Sequence, residues 1–231
     1  MKKFLAMLLA LTMALALVAC GGNNSAGTSG NDAGGANTSG DTAGDASGAA
    51  GGTFTIGVIG PLTGGNAIYG TNVANAAQIA VDEINALGGD VQFSLISEDD
   101  TGDAETAVNA YNALMDQGMQ ILLGTVTTGP ALAVVPYAYE ERVFTLTPSG
   151  SGDDVIEGND NVFQVCFTDS NQGTRSAQYI DEHFEDPQIA VIYRNDDAYS
   201  QGIRDNFVAE AESRGMSIVY EGTFTEASQT D

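Results

Sequence analysis

The run Thr53-Phe54-Thr55-Ile56-Gly57-Val58-Ile59, closed by Gly60-Pro61, decides the fold. It is short, rich in β-formers and stopped by turn residues, so it reads as a strand. A helical pattern follows over 67–87, where Val73, Ala76, Ala77, Ala80, Val81, Ile84 and Leu87 recur three or four apart. Gly88-Gly89 is its natural stop. The alternation then repeats. Residues 91–97 predict a strand, with Asp99-Asp100-Thr101-Gly102-Asp103 as its exit loop, and 104–116 a helix with Ala107, Tyr111, Leu114 and Met115 on one face. Residues 120–123 predict a strand, 130–141 a helix opened by Pro130, and 143–147 a strand stopped by Pro148.

Strand and helix in strict alternation, with continuous apolar strands such as Ile121-Leu122-Leu123, predict an α/β fold with a parallel sheet covered by helices on both faces. Further on, 162–167 predicts a strand, 172–184 a helix, and 189–193, 199–214 and 216–224 a strand, a helix and a strand. This second set reads as the opening of another α/β unit. No repeat of 20–50 residues is visible.

Upstream, Met1-Lys2-Lys3 is a positive n-region, and 4–18 is an apolar run interrupted in polarity only by Thr12. That run is short for a membrane span, which takes about 20 residues, and fits a secretory signal. It ends Leu17-Val18-Ala19-Cys20-Gly21, which resembles the lipobox of bacterial lipoproteins. The resemblance implies a signal peptide at 1–19, lipidation of Cys20, and an extracytoplasmic protein anchored to the bacterial membrane by its acyl chains. Residues 21–52 hold eleven Gly and no bulky apolar group, so they are expected to form a disordered tether spanning about 30 Å. With Cys20 lipidated, Cys166 is left without an intramolecular partner.

The chain has 31 Asp+Glu against 7 Lys+Arg, for a net charge of −24. Both lysines lie in the leader. Nucleic-acid binding, which needs cations to neutralise phosphates, is thereby excluded. Charged residues are only 16% and hydrophobic residues 43%, so the body is no disordered acidic tail. Two cysteines exclude a disulfide scaffold.

Enzyme signatures are scarce, and no enzyme, cofactor or metal site is expected. His183 is the only histidine and lies among Asp181, Glu182 and Glu185, where it reads as a solvated surface residue. Gly57, Gly60, Gly64 and Gly65 have the wrong spacing for a phosphate loop. Cys166 sits in a predicted apolar strand with no nearby cation and reads as inert core. Asp99, Asp100 and Asp103 suit either a divalent cation or, as the simpler reading, a strand-exit turn capping the next helix.

Ligands of open α/β sheets bind outside the carboxyl ends of the strands. Two loops there, 125–130 and 148–152, are rich in hydroxyls and glycine and offer donors suited to a small carboxylate. Helix capping is the alternative for each.

Ile56-Gly57-Val58-Ile59-Gly60-Pro61-Leu62-Thr63-Gly64, Tyr69-Gly70 and Ala80-Val81-Asp82-Glu83-Ile84-Asn85-Ala86 resemble the start of the branched-chain amino-acid binding proteins of ABC transporters. The match continues through Asp99-Asp100, the Thr-rich loop after Leu123-Gly124, Thr147-Pro148-Ser149, Val165-Cys166-Phe167-Thr168-Asp169 with Gln172-Gly173, and Tyr199. It implies a type I periplasmic-binding fold, with two Rossmann-like lobes closing on a ligand at a hinge. It divides the body into an N-terminal lobe at 53–169 and a partial C-terminal lobe at 170–231. It implies capture of an amino acid or similar small carboxylate for an ABC importer, with the permease subunits as partners and the binding protein a monomer. A ligand-sensing module for a membrane receptor is the alternative.

The resemblance also assigns roles. Thr128 stands where a hydroxyl binds the ligand carboxylate. Ser149 and Gly150 stand where backbone groups meet the ligand, and Ser151 where a hydroxyl does. Tyr69 stands where an aromatic walls the pocket, and Tyr199 where a second-lobe aromatic covers the ligand. Two departures stand out. Ser200 replaces the Gly that commonly follows that Tyr. The chain is also expected to be truncated in its second lobe, so that the acidic residue the family uses for the ligand's ammonium has no clear counterpart.

Overall fold

The structure is a computed structural model and describes residues 51–228. The predicted signal peptide, the lipidation site Cys20 and nearly all of the tether lie outside the described residues. Seven strands alternate with five helices: β1 Gly52–Gly60, α1 Ala67–Ala86, β2 Val91–Asp99, α2 Ala104–Asp116, β3 Ile121–Leu123, α3 Thr128–Glu140, β4 Phe144–Thr147, β5 Val162–Gln164, α4 Asp169–His183, β6 Gln188–Arg194, α5 Ala198–Ser213 and β7 Ser217–Phe224. Among the described residues no helix is long and apolar enough to cross a membrane.

The first five strands form one all-parallel sheet in the order β2-β1-β3-β4-β5. Successive side chains of a strand point to opposite faces. Val58 and Ile59 are both fully buried, so both faces of β1 are covered, as the alternation predicts. On one face Ile59 joins Tyr111 and Leu114 of α2, Leu122 of β3 and Val134 and Ala138 of α3. On the other, Gly60 lies against Gly70 of α1. A Cβ at Gly70 would stand 2.1 Å from the Pro61 carbonyl oxygen, so α1 seats on the β1 exit only because residue 70 has none. A second cluster joins Ala131 and Val135 of α3 to Val155 and Val162.

β6 and β7 form a separate two-stranded parallel sheet. Its core is small: Ala177, Ile189, Ala211 and Met216. Helices α4 and α5 approach closely at Gly173, where a Cβ would meet the Ile203 carbonyl oxygen at 2.4 Å.

Three expectations are corrected. α3 begins at Thr128, two residues before Pro130. Pro130 is the third helical residue, where the missing N–H is still one that no carbonyl of the helix would accept. α4 begins at Asp169 rather than 172, because the Thr168 hydroxyl caps it by accepting from Asn171 N–H at 3.2 Å. β5 ends at Gln164, so Cys166 lies beyond the strand and is half-buried rather than core. Burial still pushes its thiol up, as for an unreactive cysteine.

Candidate functional site

The sheet order reverses direction at β1, with β2 on one side and β3 on the other. Such a switch point opens a crevice at the carboxyl ends of the strands. The 124–127 and 148–152 loops both leave the sheet there.

Neither loop is occupied with helix capping. Thr127 holds the N-cap position of α3 but makes no capping bond, and its buried hydroxyl has no partner among the described residues. Thr128, buried at the first helical position, accepts from Ser151 N–H at 3.2 Å. Its own hydroxyl proton is then free to donate. Ser149 Oγ donates to the Val126 carbonyl at 2.5 Å. Gly150 N–H donates to Thr147 Oγ1 at 2.8 Å, and Thr147 Oγ1 donates in turn to the Thr125 carbonyl at 2.8 Å. A Cβ at Gly150 would crowd Thr147 Oγ1 at 2.8 Å. The two loops are thus stitched into one rigid platform.

A cleft of about 430 Å³ opens on this platform. It is walled on one side by Thr128, Gly152, Asp153 and Asp169 and on the other by α5 residues including Gln201 and Gly202. Of the six predicted binding residues, Thr128 lines this cleft. Ser151 holds Thr128 from behind, while Ser149 and Gly150 fix the loop. Tyr69 on α1 and Tyr199 on α5 do not line it, and the two residues are 60% and 40% exposed.

Sequence reading passed over Asp169. Its backbone N–H donates to the Ser151 carbonyl at 2.9 Å. Its side chain is buried, and neither carboxylate oxygen has a hydrogen-bond partner within bonding distance among the described residues. Burial raises its pKa; the nearby Ser151 hydroxyl offsets part of the cost, while the charges of Asp153 and Asp197 add to it. The signal that could have found it is its place directly after the capping Thr168, at the start of a helix that faces the cleft.

The Asp99–Asp103 turn does what the simpler reading expects. Asp99 accepts from Leu62 N–H and Thr101 N–H, each at 2.8 Å, and from Thr63 Oγ1 at 2.6 Å. Burial works against its charge, but these bonds hold its carboxyl below the usual range. Asp103 caps α2 through Thr106 N–H at 2.8 Å. Among the described residues no group of three or more His, Cys, Asp or Glu could hold a metal ion. His183 is exposed at the end of α4, stacked on Tyr179.

The family model described as a periplasmic binding protein matches residues 53–231. The Leu/Ile/Val-binding protein BraC3 of Rhizobium johnstonii is 36% identical over 174 residues, covering 74% of this chain and 47% of that protein. The branched-chain amino acid transporter substrate-binding protein LivJ of Streptococcus pneumoniae, solved with isoleucine, superposes with a TM-score of 0.71 at 30% identity, over 78% of this chain and 51% of that one. The leucine-binding protein LivK of Thermotoga maritima gives a TM-score of 0.70 at 28% identity, over 76% and 50%. The chain spans about half the length of the curated relatives it matches. With the α/β alternation and the parallel sheet already in place, the match over the whole folded body leaves one conclusion: the chain belongs to the periplasmic binding protein family.

Proposed function

We propose that this chain belongs to an extracytoplasmic solute-binding protein of an ABC importer, capturing an amino acid or similar small carboxylate between a lobe at 53–169 and a second lobe that begins at 170. The observation that carries this reading is the pairing of Thr128 with Ser151 across two strand-exit loops. The pairing leaves a hydroxyl proton at the start of α3, where the helix dipole also favours an anion. Relatives named for leucine, isoleucine and valine binding support the ligand class. Binding would shift the population of open and closed lobe arrangements, with no bond chemistry required. Lipid anchoring through Cys20, docking on permease subunits, a monomeric state and pocket roles for Tyr69, Ser149, Gly150 and Tyr199 belong to the same proposal.

Titration calorimetry with leucine, isoleucine and valine tests it. In the full-length protein, Thr128→Ala and Ser151→Ala are each expected to weaken affinity by about 1–3 kcal/mol, the worth of a hydrogen bond to a charged group. This chain alone is expected to bind weakly or not at all; unchanged affinity in both variants of the full-length protein would overturn the site assignment.

A further inference from the structure

The β2–α2 turn grips the β1–α1 loop. Asp99 accepts from Leu62 N–H at 2.8 Å and from the Thr63 hydroxyl at 2.6 Å, so one carboxylate ties residues 62 and 63 to the end of β2. The loop passes this restraint on: Tyr69 N–H donates to the Asn66 carbonyl at 3.0 Å, at the start of α1. The turn itself is tightly wound. Thr101 and Gly102 both have positive φ, at 52° and 80°, and Asp103 N–H donates back to the Asp100 carbonyl at 2.8 Å. A β-branched residue such as Thr101 is strained in that region, so the turn depends on its bonds to stay wound.

Asp100 adjoins this grip. Its N–H donates to the Gly60 carbonyl at 3.1 Å, at the exit of β1, and its side chain is fully buried. One carboxyl oxygen accepts from Gly102 N–H at 2.8 Å, and the other has no partner among the described residues. A buried, unpartnered oxygen is tolerable on a neutral carboxyl and costly on an ionised one. The charges that act on it are those of Asp99 and Asp103, and both repel. Glu98 of β2 and Glu105 of α2 are the other acidic groups flanking the turn. The 61–66 and 124–127 loops carry no titratable side chain, and α1 carries Tyr69, Asp82 and Glu83. The first described cation along the chain is Arg142, so none of these elements supplies a counter-charge.

Two neighbouring carboxyls therefore have opposite needs. Burial opposes the charge of Asp99, but the bonds from Thr63, Thr101 and Leu62 hold its carboxyl below the usual range. Burial first, and then its two acidic neighbours, push Asp100 up to about 6, against the Gly102 bond. We propose that the 99–103 turn is a proton-operated clasp on the 61–66 loop, closed while Asp99 is ionised and Asp100 protonated, and released as Asp100 gives up its proton. Because the loop leads into α1 and Tyr69 at the switch-point crevice, the clasp would make ligand capture depend on pH. That consequence rests on the reading above; the clasp itself does not.

The sign follows from linkage. Opening lets Asp100 return to an ordinary carboxyl near about 3.9, so opening is eased as pH rises from there to about 6, by up to about a hundredfold, and no further above it. The test is amide hydrogen exchange of the unaltered chain by NMR across that window, each rate divided by that of an unstructured amide at the same pH. Leu62 N–H is expected to lose protection by up to that factor, and to be indifferent to urea below the unfolding transition, as for a local opening. Gly124 N–H, which joins β3 to β4 through the Leu146 carbonyl at 3.0 Å, is expected to exchange more slowly and to respond to urea. Asp100→Asn is expected to keep Leu62 protected across the window, and Asp99→Ala to leave it unprotected throughout. Leu62 protection that pH does not change, a loss retained in folded Asp100→Asn, or identical responses of Leu62 and Gly124 to urea would overturn the clasp. None of these measurements uses a ligand, so such a failure leaves ligand capture standing.

Discussion

The two sheets of this molecule are built by the same strand–helix–strand rule and reach different ends. In the five-stranded sheet, β1 is central and both of its faces are covered; Tyr111, Ile59, Leu114, Leu122 and Val58 are all fully buried around it. Among the described residues the β6–β7 pair has no central strand, and Ile192, Val219 and Tyr220 are exposed, at 68%, 56% and 58%. What holds the smaller unit is different in kind. Backbone contact at Gly173 joins its helices, and ion pairs of Arg194, Arg204 and Arg214 lace its surface. A parallel sheet draws its stability from burial on both faces. Two strands cannot provide that for each other, and exposed ion pairs offset little of the difference.

Removing one apolar side chain from each sheet should separate the two most widely. Leu122→Ala is expected to cost about 2–5 kcal/mol in urea unfolding, because it opens a cavity in the closed core. Val219→Ala is expected to change stability by no more than about 0.5 kcal/mol. Equal losses would show that the smaller sheet is as consolidated as the larger.

A second test concerns pH. Burial first, and then the charges of Asp99 and Asp103, push the Asp100 carboxyl up to about 6, against a hydrogen bond from Gly102 N–H. An unfolded aspartate titrates near about 3.9. Between those values the folded chain keeps a proton that the unfolded chain has released. Stability therefore falls as pH rises through that window, by up to about 3 kcal/mol, and levels off above it. Asp169, also raised by burial, slopes the same way. Asp99 and Asp103 are held low, so their contribution is present above the unfolded value and lost as pH falls below it. Asp100→Asn is expected to remove its share of the slope, read as urea midpoints across the window. A slope unchanged by that variant would place the effect outside the first sheet.

The smallest effect is expected on the other side. Glu221→Gln breaks the ion pair with Arg204 at the edge of β7 and should cost at most about 1 kcal/mol, with the loss shrinking in roughly 1 M salt. A larger, salt-independent loss would mean that the smaller unit relies on charge far more than its exposure allows.

The sequence makes the fold legible where hydrophobic period and stop signals agree. The β1–α1–β2–α2 stretch has both, and its elements lie within a residue or two of the expected bounds. Legibility drops where a side chain sets the boundary. Thr168 starts α4 three residues early by capping it, and α3 starts ahead of its proline. Within the candidate site, Thr128 and Ser151 stand out as hydroxyls in strand-exit loops, and the structure joins them through the Ser151 backbone N–H and the Thr128 hydroxyl. Asp169 does not stand out, because its burial depends on Gly152 and Gly202, which lie on separate elements and meet only in the fold. No local pattern encodes a carboxylate left without a partner.

The sheet order β2-β1-β3-β4-β5 also has a consequence for the order of assembly. β1 comes first in the chain and offers both of its edges for pairing. β2 adds to one edge, and β3, β4 and β5 then add to the other in the order in which they are made. No strand has to be threaded between two that are already paired. Each later strand extends an open edge instead of prying one apart, so the five described strands can pair in chain order with little rearrangement.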